Sequence, residues 1–125
     1  MKIAIDTNIF IYSVRFKLDI FSQLKGNEIF TTEAAMRELE KLAKGDSRDA
    51  KAAALALSML KEKISSEKIA VLKQKTENAD DGLFELGKNG YIVITQDRDL
   101  LKRLKSAGCA FGYIKQRKYF AFEGI

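Results

Sequence analysis

Two short runs, KIAID (2–6) and YIVIT (91–95), constrain the fold more than any other feature of this chain. The body of each is continuously apolar, whereas a strand with one wet face alternates apolar with polar residues. Such runs belong to a sheet covered by helices on both sides. KIAVL (68–72) reads the same way, and EIFTT (28–32) and CAFGYI (109–114) are further strand candidates. Between them the patterning is helical. Residues 16–26 and 31–45 each close on a glycine suited to ending a helix. Residues 47–64 carry Ala50, Ala53, Leu57, Leu60 and Ile64 on one stripe, with Asp46 or Ser47 placed as a cap. Strands alternating with helices predict an α/β chain with a parallel sheet. With no linker, repeat or low-complexity tract, one domain over residues 1–125 is expected. Parallel sheets bind ligands beyond the carboxyl ends of their strands. Asp6 closes the first strand, and TQDRD (95–99) follows the YIVIT run.

Some chemistries are excluded by composition. The chain has no histidine, so neither a histidine general base nor a Ser-His-Asp or Cys-His nucleophile can form. A Cys/His zinc site would have only Cys109 to offer. That lone cysteine cannot form an internal disulfide, and the expectation is a reducing, cytoplasmic setting with Cys109 in the core. No apolar stretch approaches the ~18 residues of a membrane span, so no membrane partner is expected. Chemistry without an organic cofactor falls to carboxylates, lysines and hard metal ions such as Mg²⁺ or Mn²⁺. The formal net charge of +5 suits a polyanionic partner, nucleic acid first.

Two later segments place acids in one pattern. Asp80 precedes Leu83, Phe84 and Gly87 by three, four and seven positions, and Asp97 stands in the same relation to Leu100, Leu101 and Leu104. At 3.6 residues per turn each aspartate lines up with the core stripe of its helix, while Asp81 and Asp99 point away from it. Each acid has a structural explanation. Asp6 suits an Asx turn, Asn78 or Asp80 an N-cap, and Asp97 a cap of the last helix. Jointly, Asp6, Asp80 and Asp97 would reach one edge of a parallel sheet, where unpaired carboxylates repel and a divalent cation removes the conflict. A metal site accounts for all three together. A fourth acid comes from residues 31–45, where Glu38 and Glu40 flank the apolar face on opposite sides and periodicity does not choose between them.

DTN after a strand, ELEKL on a helix, ADDGLFELG, and a strand followed by TQDRDLLKRLK together resemble the PIN-domain ribonucleases. The resemblance covers nearly the whole chain. RFKLDIF (15–21) and YIKQRKY (113–119) make it similar to the archaeal members and to the eukaryotic PIN endonuclease of small-subunit ribosomal RNA processing. It implies a five-stranded parallel sheet flanked by helices, and Mg²⁺- or Mn²⁺-dependent hydrolysis of RNA. Asp6, Glu38, Asp80 and Asp97 match the family's four acids as catalytic residues and metal ligands, so the resemblance selects Glu38. Asn8 and Thr95 match supporting polar positions, with Asp81 and Asp99 as accessory ligands. It also implies a homodimer. Two settings are implied, ribosomal RNA processing with a ribosome-assembly partner, or a VapC-type toxin silenced by an antitoxin. A PIN-like module that binds without cutting is the alternative from another class, and its mark would be loss of an acid. A phospho-receiver module would need an aspartate closing a central strand; KIAVL runs on to Lys73 instead.

On the substrate side, Lys115, Arg117 and Lys118 with Tyr119, Phe120 and Phe122 interleave charge with aromatic rings, which suits single-stranded RNA. The alternative, equally open on the sequence, is a solvated charge cluster beside rings that pack. Arg98, Lys102 and Lys105 read as a solvated helix face. Asp19 has no role that the sequence supplies.

Overall fold

Ile3 and Ile5 face one side of a central sheet and Ala4 the other, and each side is a separate core. The computed structural model describes residues 1–125. In chain order they form β1 (Lys2–Ile5), α1 (Thr7–Arg15), α2 (Ile20–Gln23), β2 (Glu28–Thr32), α3 (Glu33–Ala43), α4 (Ala50–Ser65), β3 (Ala70–Leu72), α5 (Ala79–Lys88), β4 (Ile92–Ile94), α6 (Arg98–Ser106), β5 (Phe111–Lys115) and β6 (Tyr119–Glu123). Helices α1 to α4 pack on the Ile3/Ile5 side through Ile9, Phe10, Ile20, Leu39, Ala53 and Leu60. Helices α5 and α6 cover the other side through Leu83, Leu86, Leu100 and Leu104. This double cover is why β1 from Ile3 onward and all of β4 are apolar, with Val93 and Ile94 wholly buried.

The strand order is β3-β2-β1-β4-β5-β6. From β1 the chain winds outward first through β2 and β3, then returns to place β4 on the opposite side of β1. The β1/β4 boundary is therefore the topological switch point, where a doubly wound sheet opens a crevice at its carboxyl edge.

Here the sheet departs from the expected five parallel strands. Tyr119–Glu123 adds a sixth, antiparallel to β5, with Ile114 opposite Phe120 and Gly112 opposite Phe122. The hairpin turn is hidden in the sequence because its left-handed residues are Gln116 and Arg117 (φ 55° and 57°), not the glycine or asparagine that usually marks one. The helix expected over 16–26 is reduced to the single turn Ile20–Gln23, and the longer helix, α1, begins directly after Asp6 and ends at Arg15, before that span. Lys17, left-handed at φ 54°, breaks the chain between them. The long helix starts at Ala50, with neither Asp46 nor Ser47 as its cap. Cys109 is partly buried against the smaller core rather than inside it. No helix is long and apolar enough to cross a membrane.

Candidate metal centre

Asp6 both caps a helix and lines a cavity. It is the N-cap of α1, with Oδ1 accepting the Thr7 N–H at 2.8 Å, and it is 4% exposed at the floor of a cavity. Its own N–H donates to the Ile94 carbonyl at 3.0 Å, which ties the end of β1 to the end of β4. Its Oδ2 accepts the Thr95 hydroxyl at 2.6 Å, and the same hydroxyl oxygen accepts the Asp97 N–H at 3.1 Å. Thr95, fully buried, thus bridges the first and last acids. Asp97 N-caps α6, its Oδ1 taking the Leu100 N–H at 3.0 Å.

The other two acids arrive from helices packed beside these strand ends. Thr7 donates its hydroxyl proton to the Ala35 carbonyl at 3.2 Å, fastening the first turn of α1 to that of α3, and Glu38 follows one turn along. Asn78 caps α5 by accepting the Asp80 and Asp81 N–H groups, leaving the Asp80 carboxylate free. Gly82 lets the preceding loop lie close over this helix start, since a Cβ there would collide with the Gln74 amide oxygen.

Asp6, Asn8, Glu38, Asn78, Asp80 and Asp97, with Ala79, line a cavity of about 340 Å³. No lysine or arginine lines it, and the chain's ion pairs (Arg15–Asp49, Lys63–Glu62, Lys88–Glu85, Arg103–Asp81) leave its four acids unpaired. The consequence appears in their acidities. Burial pushes the Asp6 carboxyl up to about 6, against the pull of its Thr95 and Thr7 hydrogen bonds, with Asp80 and Glu38 adding repulsion. Glu38 is raised by burial and then by Asp80 and Asp97. Asp80 is raised by burial and then Asp97, with Arg103 opposing.

The donor set fits a hard divalent ion, being four carboxylates and two side-chain amides with no sulfur or imidazole. No three of the acids converge closely enough to grip an ion as they stand. Of the remaining expected residues, Asn8 lines the cavity and accepts the Gln96 N–H at 3.4 Å. Asp81 turns to Arg103 at 2.9 Å, and Asp99 is exposed on α6; neither lines the cavity. Lys115, Arg117 and Lys118 lie on the β5–β6 hairpin, outside it. Sequence reasoning treated Asn78 only as a cap and passed over Thr7 and Gln96, because each acts through a contact the sequence does not display. A wider hollow of about 890 Å³ near the amino ends of β2 and β3 mixes Lys25, Lys63 and Lys68 with Asp19, Glu28 and Glu67, and contains none of the four acids. Asp19 there caps α2.

The model of the PIN like domain family matches residues 3–117. The chain belongs to the PIN-domain family. Ribonuclease VapC9 of Archaeoglobus fulgidus is 33% identical over 120 residues, covering 92% of this chain and 84% of that protein. Ribonuclease VapC4 of Methanocaldococcus jannaschii is 29% identical over 132 residues, covering 99% and 98%. Among solved structures, the PIN domain endonuclease Utp24 superposes with a TM-score of 0.80 at 22% identity, covering 99% of this chain and 92% of that one. A domain of a functionally unknown M. jannaschii protein gives 0.66, also at 22% identity and covering 91% of each chain. At that identity these two likenesses are of fold.

Proposed function

We propose that this PIN domain is a metal-dependent endoribonuclease that hydrolyses RNA phosphodiester bonds, with Asp6, Glu38, Asp80 and Asp97 holding Mg²⁺ or Mn²⁺. The observation that carries the reading is that four carboxylates from four separate stretches of chain meet in one cation-free cavity at the sheet's switch point. A bound divalent ion would supply activation of water and neutralisation of charge on the phosphoryl oxygens, chemistry that needs no histidine. The chain's own contribution is orientation. Each oxygen of Asp6 already has a donor, so the carboxylate plane is fixed before any ligand arrives. Thr95 sets Asp97 in register with it, and the Leu100 N–H occupies one Asp97 oxygen, leaving the other for a ligand. Preorganisation of this kind removes reorganisation cost from the reaction.

Sequence likeness to two VapC ribonucleases favours the toxin setting, with an antitoxin as protein partner and the cytoplasm as its place. The likeness to the endonuclease Utp24 is one of fold and does not choose between that setting and ribosomal RNA processing. The test is cleavage of a labelled, unstructured RNA with Mn²⁺, Mg²⁺ or EDTA, wild type beside Asp6→Asn. Cleavage that needs both metal and Asp6 is expected. Metal-independent cutting, or an Asp6→Asn protein that still cuts, would overturn the assignment. A protein that binds RNA yet neither cuts it nor binds Mn²⁺ would be a non-cleaving module.

A further inference from the structure

The β5–β6 hairpin is costlier than a connection needs to be. Gln116 and Arg117 are both left-handed, and the turn closes through the Lys118 N–H on the Lys115 carbonyl at 3.1 Å. Non-glycine residues reach that region only at a cost, and such strain persists where surrounding structure over-determines it. Two glutamine side chains do so here. Gln23 of α2 donates Nε2–H to the Lys118 carbonyl at 2.9 Å and accepts the Phe120 N–H on Oε1 at 3.1 Å. Gln96 grips the other strand, its Oε1 accepting the Ile114 N–H at 2.6 Å and its Nε2–H donating to the Ile114 carbonyl at 3.3 Å. Its own N–H donates to Asn8 at the cavity.

The tip is held as well. The Arg117 guanidinium lies 4.7 Å from the centre of the Phe16 ring, Arg15 stands 5.7 Å from the same ring, and Tyr12 packs against it at 4.6 Å. Phe16 lies ten positions beyond Asp6, at the far end of α1, so about 15 Å of helix separates the hairpin tip from the cavity. An arginine already laid on a ring loses less freedom when it takes a phosphate.

We propose that Phe16 and Gln23 are positioning residues for RNA, holding the hairpin so that Lys115, Arg117 and Lys118 grip a strand whose scissile phosphate lies in the acidic cavity. This rests on the ribonuclease reading above. Neither residue touches the cavity, so their effect belongs to substrate binding rather than to the chemical step.

The experiment measures kcat and KM of the Mn²⁺-loaded protein on unstructured RNA for wild type, Phe16→Leu and Gln23→Ala. Each change is also made in a Lys115→Ala/Arg117→Ala/Lys118→Ala background, with thermal melts as a fold check. KM should rise about fivefold for either single change, with kcat within about twofold. Neither should raise KM further once the hairpin charges are gone. Gln23→Glu keeps the acceptor for Phe120 and should give an intermediate KM. Unchanged KM, or the same rise in both backgrounds, overturns the inference. Wild-type KM in the hairpin triple variant also overturns it, leaving the acidic cavity's chemistry standing. A wild type that cleaves no RNA overturns the ribonuclease reading and this inference with it.

Discussion

Asp6 carries two demands that conflict when no metal is bound. Its capping role wants an ionised acceptor, while burial beside Glu38 and Asp80 wants a neutral group, and burial prevails, raising its pKa from 3.8 to about 6. Between those two values the folded state holds more protons than the unfolded one. Metal-free stability therefore falls as pH rises from about 4 to about 6 and stays low above that, by at most ~3 kcal/mol. Asp6→Asn removes this slope while still offering an acceptor to Thr7. In EDTA at pH 8 it should melt above wild type, and the gap should close toward pH 4. Added Mn²⁺ should raise the melting temperature of wild type and leave Asp6→Asn almost unmoved. Equal pH slopes for the two proteins would count against Asp6 as the stressed group. The tie between Glu38 and Glu40 also belongs to this scale. Both flank the apolar face of α3; the burial of Leu39 in the core and the Thr7–Ala35 hydrogen bond, made across 28 residues, hold α3 with Glu38 rather than Glu40 at the cavity.

At the scale of elements, the hairpin shows where local rules and the folded chain disagree. Gln116 has no contact that requires its side chain, and its left-handed backbone favours glycine. Gln116→Gly should relieve the strain and stabilise the protein by about 1 kcal/mol, read as a higher urea midpoint with KM for RNA unchanged. The converse holds where a glycine already answers to packing. A Cβ at Gly87 would stand 2.6 Å from Leu104 Cδ2, so α5 and α6 meet closely only because position 87 is bare. Most elements were legible from periodicity. The runs 91–95 and 68–72 shrink to three residues each in the sheet, since Lys68 and Ile69 donate their N–H groups back to Lys63 of α4 and Tyr91 to Leu86 of α5. Helix α1 was not legible. Asp6, Thr7 and Asn8 favour turns in isolation, and the packing of Ile9 and Phe10 into the larger core, added to the Asp6 cap, makes the following residues a helix.

For the molecule as a whole, charge is divided by function. The acids gather at the switch point without a cation, while Lys115, Arg117 and Lys118 stand on the hairpin that extends from the sheet. That division predicts a salt effect with a definite origin. Removing all three hairpin cations should flatten the dependence of log KM on log salt by about 2, at about 0.7 per single-strand phosphate contact. An unaltered slope, measured between 50 and 300 mM salt (roughly the range where counterion release dominates), would place the phosphate contacts elsewhere. By itself the sequence determined the α/β class, the covered parallel strands, the exclusion of histidine chemistry and three acids placed at strand ends or helix starts. Those follow from periodicity and composition, which are local properties. Periodicity left Glu38 and Glu40 tied, the resemblance selected Glu38, and the structure places Glu38 at the cavity. Tertiary structure alone decided that Thr95 links Asp6 to Asp97, and that the aromatic tail pairs back as β6 under the hold of Gln23 and Phe16. Each of these depends on contacts between residues far apart in the chain, and such contacts leave no period or spacing in the sequence to be read.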